Sequence, residues 1–261
     1  MDNLKIIDTT ADNIHQYQFG MCGYKNLKHE GYQKKLEWTK ARMAEGMRYK
    51  MLVSEDKGAI GGIEYLPGEF AWRPVDAASF MFIHCIFIMK KDAKGKGYGQ
   101  KMVKACIDDA KESGMKGVAA VARKGSWMAS PELFLKMGFQ TVDKAKPDFE
   151  LMVLKFKDVH SDPAFIKGWE NKLEQYKEGV FIFTSGQCPY AFKATSEIAE
   201  AAFQDYQIKP QIIEIKTGKE AREVPFPFGT FGIIINGKVV ADHPVSQTRF
   251  RNIMKKEWQN L

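Results

Sequence analysis

Along the chain the apolar positions fall into blocks whose period changes from two to about 3.6 and back, the mark of strands alternating with helices. LKII near the N-terminus reads as a short strand, with Thr9, Thr10 and Asp12 as candidate caps for a helical region behind it. Tyr32, Leu36, Met43 and Met47 recur at helical spacing while Lys34, Lys35, Lys40 and Arg42 occupy the other faces, so an amphipathic helix is predicted over 32–47. Two apolar runs, 49–54 and 59–65, flank Glu55-Asp56-Lys57-Gly58 and predict an antiparallel hairpin. Residues 66–78 contain Pro67, Gly68 and Pro74 and read as a loop. The run Phe80–Met89 is apolar on both faces, as a central strand requires. Strict alternation would put Phe82, His84, Ile86 and Ile88 on one side and Ile83, Cys85 and Phe87 on the other.

Behind that strand comes DAKGKGYG and then a helical stripe of Met102, Val103, Cys106, Ile107 and Ala110, with Gly114 as its stop. Residues 118–123 read as the parallel strand reached by this crossover. A short helix over 131–137 and strands over 139–142 and 149–156 complete a first domain, 1–157. A linker helix is predicted between His160 and Lys177, opened by Ser161, Asp162 and Pro163, and assigned to a linker of 158–178. The second domain, 179–261, starts with a buried strand that runs into Cys188-Pro189 and a helix burying Phe192, Ile198, Ala199, Ala202 and Phe203. A strand over 211–215, a hairpin turning at Asn236-Gly237 and a terminal helix follow. The fold class is α/β (α+β), a mixed central sheet followed by a smaller α/β domain.

Composition narrows the function. A chain of 261 residues with 44% hydrophobic content buries a sizeable core, and a net charge of +7 favours anionic partners. The lysines are spread out, and neither an arginine-rich run nor an aromatic RNA-binding signature is present, so the basic surface reads as solvated rather than as a nucleic-acid interface. Cys22, Cys85, Cys106 and Cys188 lie far apart and form no CxxC pair, which implies no metal site and no disulfide framework and fits a reducing, cytoplasmic setting. MDNLKIIDTT lacks the order of a secretory signal, and the longest apolar run is interrupted by His84, so no membrane association is expected.

The candidate chemistry sits at the strand–turn–helix unit. Glycines let backbone N–H groups approach a phosphate, while the helix N-terminus and Lys94, Lys96 and Lys101 supply positive potential. With the flanking apolar strand, the following parallel strand and the later FLKMGF, this unit resembles the GNAT family of N-acetyltransferases. The resemblance implies a GNAT acyltransferase fold and acetyl-CoA as co-substrate. It implies that Ile86 and Ile88 bond the pantetheine arm through their backbone and that Lys94, Gly95, Lys96, Gly97, Tyr98 and Gly99 hold the pyrophosphate. The tyrosine that many members place as thiolate acid is Phe134 here, and the family's asparagine after the second parallel strand is replaced in the neighbourhood of Ser126 and Trp127.

His84 is the candidate acid–base group, because imidazole titrates near neutrality; a hydrogen-bonded core histidine is the other reading. Cys85 reads as a buried small hydrophobe rather than a nucleophile, Glu64, Glu69 and Asp76 as solvated carboxylates in preference to base or amine-recognition groups, and Trp72 and Arg73 as either an acceptor-pocket wall or a loop anchor. The second domain resembles the thioredoxin fold: QCPYA is similar to a glutaredoxin CPYC site, with Ala191 in place of the resolving cysteine and Phe231 near the register of the usual cis-proline. Cys188 is therefore a candidate thiol site for monothiol exchange or regulation, or a structural residue. The two domains together resemble the YoaP-type acetyltransferases. The expected activity is direct transfer of acetyl to the amine of a small molecule, the alternative a non-catalytic acyl-CoA-binding or thiol-sensing protein; the oligomeric state is left open.

Overall fold

The computed structural model describes residues 4–16, 21–24, 26–56, 58–89, 91–125, 127–156 and 161–258. Ser126, Lys57, the end of the first domain at Lys157 and the start of the linker helix at His160 lie outside them. In chain order the strands are β1 Leu4–Thr9, β2 Arg48–Ser54, β3 Gly58–Pro67, β4 Val75–Asp76, β5 Phe80–Ile88, β6 Gly117–Ala122, β7 Gln140–Ala145, β8 Phe149–Lys155, β9 Ala164–Phe165, β10 Val180–Ser185, β11 Gln211–Ile215, β12 Gly232–Ile235 and β13 Lys238–Ala241. The helices are α1 Glu30–Met43, α2 Tyr98–Glu112, α3 Pro131–Leu135, α4 Trp169–Leu173, α5 Pro189–Tyr206, α6 Gly218–Glu223 and α7 Gln247–Glu257. They fall into two compact units, one of 1–28, 36–71 and 75–165, the other of 29–35, 72–74 and 166–261.

The first unit is built on a seven-stranded mixed sheet in the order β1-β2-β3-β5-β6-β8-β7. Only the β5–β6 pair in it is parallel, because α2 carries the chain back across the sheet between those two strands. α2 buries Met102, Val103, Cys106, Ile107 and Ala110 against Ile63, Met81, Ile83, Val118 and Ala120. In β3 a Cβ at Gly61 would lie 2.7 Å from the Phe87 carbonyl oxygen, and one at Gly62 2.7 Å from the Phe87 ring, so the pair of glycines lets β5 side chains lie across their neighbour.

The far end of α2 is held by a polar cluster. Asp109 accepts from the Tyr65 hydroxyl and lies 2.8 Å from Arg48 and 3.1 Å from Lys50, which also reaches Asp8 at 2.7 Å. Burial opposes the charge on Asp109, but hydrogen bonds from Tyr65, Arg48 and Lys50 outweigh it and hold the carboxyl below its usual range. Burial pushes the Tyr65 hydroxyl upward, so it remains a donor.

Several expectations change. The caps near the N-terminus serve a single 3-10 turn, Ile14–Gln16, where Thr10 and Asn13 bond each other's backbone N–H. The helix predicted over 160–177 is helical only from Trp169, because Ala164–Phe165 pair as a strand with Val75–Asp76. Its apolar spacing holds, yet the first part of the segment finds a sheet edge instead. Phe203, expected inside, is 58% exposed: α5 buries Ala191, Ala194, Thr195, Ile198, Ala201 and Ala202, and the residue after Ala202 is rotated about 100° out of that stripe. Trp72 and Arg73 are buried among residues of the second unit. The Arg73 guanidinium donates to the Phe228 carbonyl and lies 4.8 Å from the Phe228 ring centroid, which makes this segment an anchor rather than a pocket wall.

The second unit carries a four-stranded sheet, β11-β10-β12-β13, with β10 and β11 parallel and the other pairs antiparallel. Asn236 and Gly237 both have positive φ, 46° and 77°, as a two-residue hairpin between β12 and β13 demands.

The Asp109 cluster yields a stability prediction. Its folded-state carboxyl titrates below the unfolded one, so the contribution is fully present above the unfolded value of about 4 and drains away as the pH falls through the depressed value. Asp109→Asn should cost about 3 kcal/mol in urea unfolding at neutral pH. The gap from the parent should shrink at low pH; an equal gap at both would contradict the account.

Candidate active site

The feature that positions everything else is where β5 and β6 part. Their parallel register runs from Phe80↔Gly117 to Ile83↔Ala120 and ends there. Beyond it β6 remains paired only with β8, through Ala122↔Glu150, and β5 only with β3, through Ile86↔Ile63, Phe87↔Gly62 and Ile88↔Gly61. The Met89 N–H donates to the Ile60 carbonyl at 2.9 Å, on the β3 side. Because backbone groups alternate in direction along a strand, Ile88 and Ile86 turn their N–H and C=O groups the other way, into the gap. Both residues are part-buried, their side chains packed on the α2 face.

The gap leads to the turn. Gly95 and Gly97 both have φ 77°, in the left-handed region where a side chain is strained, and Gly97 caps α2 with no side-chain bond to the first turn. The opening N–H groups of α2 are therefore left facing outward. A Cβ at Gly99 would stand 3.3 Å from Leu133, so this glycine sets the close packing of α2 on α3. A cleft of about 330 Å³ joins the parts, lined by Ile88, Lys94, Gly95, Gly97, Tyr98 and Gly99 together with Gln100, Leu133 and Lys136. Lys136, at the end of α3, is a cation that sequence reasoning had not placed there; its position just before the FLKMGF glycine is the only hint the sequence gives.

Strict alternation fails in the middle of β5. Glu64 pairs with Cys85 and Tyr65 with Ile83, so His84 is an extra residue, a β-bulge. The consequence is a change of parity. Met81 and Ile83 share the α2 face with Ile86 and Ile88, whereas Phe82 and His84 lie on the opposite face, where their rings meet edge to face at 6.0 Å. His84 is thus separated from Ile86 and Ile88 by the thickness of the sheet, contrary to the shared side expected for them. Its Nδ1 lies 3.7 Å from Glu64 Oε1, and the Trp38 ring from α1 covers it at 5.9 Å.

Glu64, expected to be solvated, is 1% exposed. Tyr49 on β2 is its cross-strand partner, and Cys85 its partner on β5, so the three form a row across one face of the sheet. Burial drives the Tyr49 hydroxyl well above its usual range, with Cys22, Glu64 and Cys85 adding to the effect and a backbone bond at Cys22 opposing it; the hydroxyl remains a donor. The sequence signal for Glu64 was a lone charge inside the apolar run AIGGIEYL. Glu69 and Asp76 are exposed, as expected. Phe134 is buried against Phe139, with ring centroids 5.3 Å apart, and offers no acid. Cys188 is the part-buried N-cap residue of α5 in the second unit. Among the described residues no cluster of three or more His, Cys, Asp or Glu could hold a metal, and no helix is long and apolar enough to cross a membrane.

A sheet opened beside a bare helix N-terminus has the geometry to receive an extended ligand that ends in phosphate. Residues 13–139 match the acetyltransferase (GNAT) family, and residues 211–252 match a YoaP-like family. The uncharacterized N-acetyltransferase YoaP of Bacillus subtilis (strain 168) is 30% identical over 251 residues, spanning 95% of this chain and 97% of its own. The L-amino acid N-acyltransferase MnaT of Escherichia coli (strain K12) is 31% identical over 105 residues, 40% of this chain and 57% of its own. Among solved structures, the GNAT family N-acetyltransferase YhbS of Escherichia coli in complex with CoA aligns with a TM-score of 0.43 at 13% identity, covering 63% of this chain and 91% of its own. The chain belongs to the GNAT acetyltransferase family. It is an acyltransferase, and acetyl-CoA is its co-substrate.

Gly97→Val should therefore weaken acetyl-CoA binding at least tenfold in isothermal titration, since a β-branched residue costs about 1–2 kcal/mol at this φ and crowds the phosphate approach. An unchanged dissociation constant would remove the turn from the site.

Proposed function

We propose that this protein transfers acetyl from acetyl-CoA directly to the amine of a small molecule. The observation that carries the reading is the gap beyond Ile83, which meets the cleft at Ile88 and begins at the residue before His84. In this arrangement the pyrophosphate lies on Lys94, Gly95, Lys96, Gly97, Tyr98 and Gly99, and the pantetheine amides bond the backbone of Ile86 and Ile88. The thioester passes between the strands to the face that carries His84. The amine nitrogen attacks the thioester carbonyl, the C–S bond breaks and CoA leaves as thiolate. His84 takes the proton that the amine must lose. The relative named for L-amino acids supports an acceptor of that size.

The chain divides, in this reading, into a GNAT domain at 1–157, a linker and a C-terminal domain from 179. We take the latter as thioredoxin-like, supported by the parallel β10–β11 pair flanked by the antiparallel β12–β13 hairpin and by Cys188 at the start of α5. A thiol role for Cys188 in sensing is the second reading, and it rests on that N-cap position.

Both readings are tested by CoA release over a panel of amino acids and simple amines. At least one amine should be turned over, His84→Ala should lower kcat by about 10²–10⁴-fold with acetyl-CoA affinity unchanged, and Cys188→Ala should leave kcat as it was. Binding without turnover of any amine would favour the non-catalytic alternative.

A further inference from the structure

We propose that Glu64 is a positioning residue for this reaction: its carboxylate orients the His84 imidazole and holds the positive charge that His84 acquires on taking the amine proton. The inference rests on the transfer reading above and adds to it a residue on a different strand.

Three features carry it. The bulge exists because Glu64 pairs with Cys85 and Tyr65 with Ile83, and the extra residue turns His84 onto the Glu64 side of the sheet at the point where β6 leaves β5. Without it, alternation would keep His84 on the same face as Ile86. The two side chains are enclosed, with relative exposures of 0% and 1%, and their nearest nitrogen and oxygen are 3.7 Å apart. Two ionisable side chains inside a sheet face are costly to desolvate, and apolar residues of similar volume would pack there more cheaply. Finally, the groups around the pair are suited to an imidazolium. Glu64 approaches from β3, and Tyr49, its neighbour on β2, stays a neutral donor able to orient the carboxylate. Cys85 lies beside His84 on β5, Cys22 is near the Tyr49 hydroxyl, and α1 contributes the Trp38 ring, which carries no charge. The carboxylate is thus the counter-charge among the groups facing His84.

A carboxylate 3.7 Å away favours the charged imidazole, so taking its charge away should make that form harder to reach. In Glu64→Gln, an isosteric change, kcat should fall about tenfold, acetyl-CoA affinity should be unchanged, and the acidic limb should move down by about one pH unit. Glu64→Asp should recover part of both effects. In the His84→Ala background Glu64→Gln should cost nothing further, since a residue acting through another is not additive with it. A parent-like pH limb in Glu64→Gln, or a loss that adds in full to that of His84→Ala, would overturn the proposal. If Glu64→Gln does not bind acetyl-CoA and so is misfolded, the limb of Glu64→Asp decides in the same way. If the parent turns over no amine, the transfer reading itself falls, and the pair is still judged by the NMR titration of the His84 imidazole. Its midpoint drops in Glu64→Gln when the carboxylate holds the charge and stays in place when it does not.

Discussion

The site depends on one constraint: β5 has two hydrogen-bonding neighbours for its first half and one for its second. Up to Ile83 the strand is fixed between β3 and β6, which gives it the rigidity of a sheet centre. Beyond Ile83, among the described residues, only β3 holds it, and the backbone of Ile86 and Ile88 keeps polar groups that a ligand can satisfy. Unpaired backbone groups are costly to bury, so such an opening favours an extended partner with amides of its own. The pantetheine arm of acetyl-CoA is such a partner.

The rest of the first unit keeps that opening in place. α2 packs its apolar stripe under β5 and β6, so its N-terminus is aimed from a fixed axis, and the Asp109 cluster clamps the opposite end to β2 and β3. Gly95 and Gly97 then bend the chain through conformations that residues with a Cβ adopt only under strain, and Gly99 lets α3 come close enough for Leu133 and Lys136 to border the cleft. In the proposed reading, affinity for the donor is spread over backbone geometry, with lysines adding a general positive potential.

What the sequence revealed follows from which physics is local. The strand–turn–helix unit was legible because period, glycine spacing and helix stripe all lie within about thirty residues of one another. The Asn236-Gly237 hairpin was legible for the same reason. The bulge at His84 was not, because an extra residue in β5 is defined only by its partner register on β3, and with it the true face of His84 was hidden. Glu64 was misread as solvated since a carboxylate in a strand normally is; its neighbours Tyr49, His84 and Cys85 are distant in sequence. Arg73 anchors to Phe228, 155 residues away, an interaction no local pattern encodes. The strand at Ala164–Phe165 likewise needed a partner at Val75–Asp76.

The most direct test of the account is backbone amide hydrogen exchange, residue by residue, with and without acetyl-CoA. The open edge of β5 predicts that the donor slows exchange at Ile86 and Ile88 and at the first amides of α2, while Cys85 and Phe87, already facing β3, stay as protected as before. Unchanged exchange at Ile86 and Ile88 in the presence of saturating acetyl-CoA would contradict it.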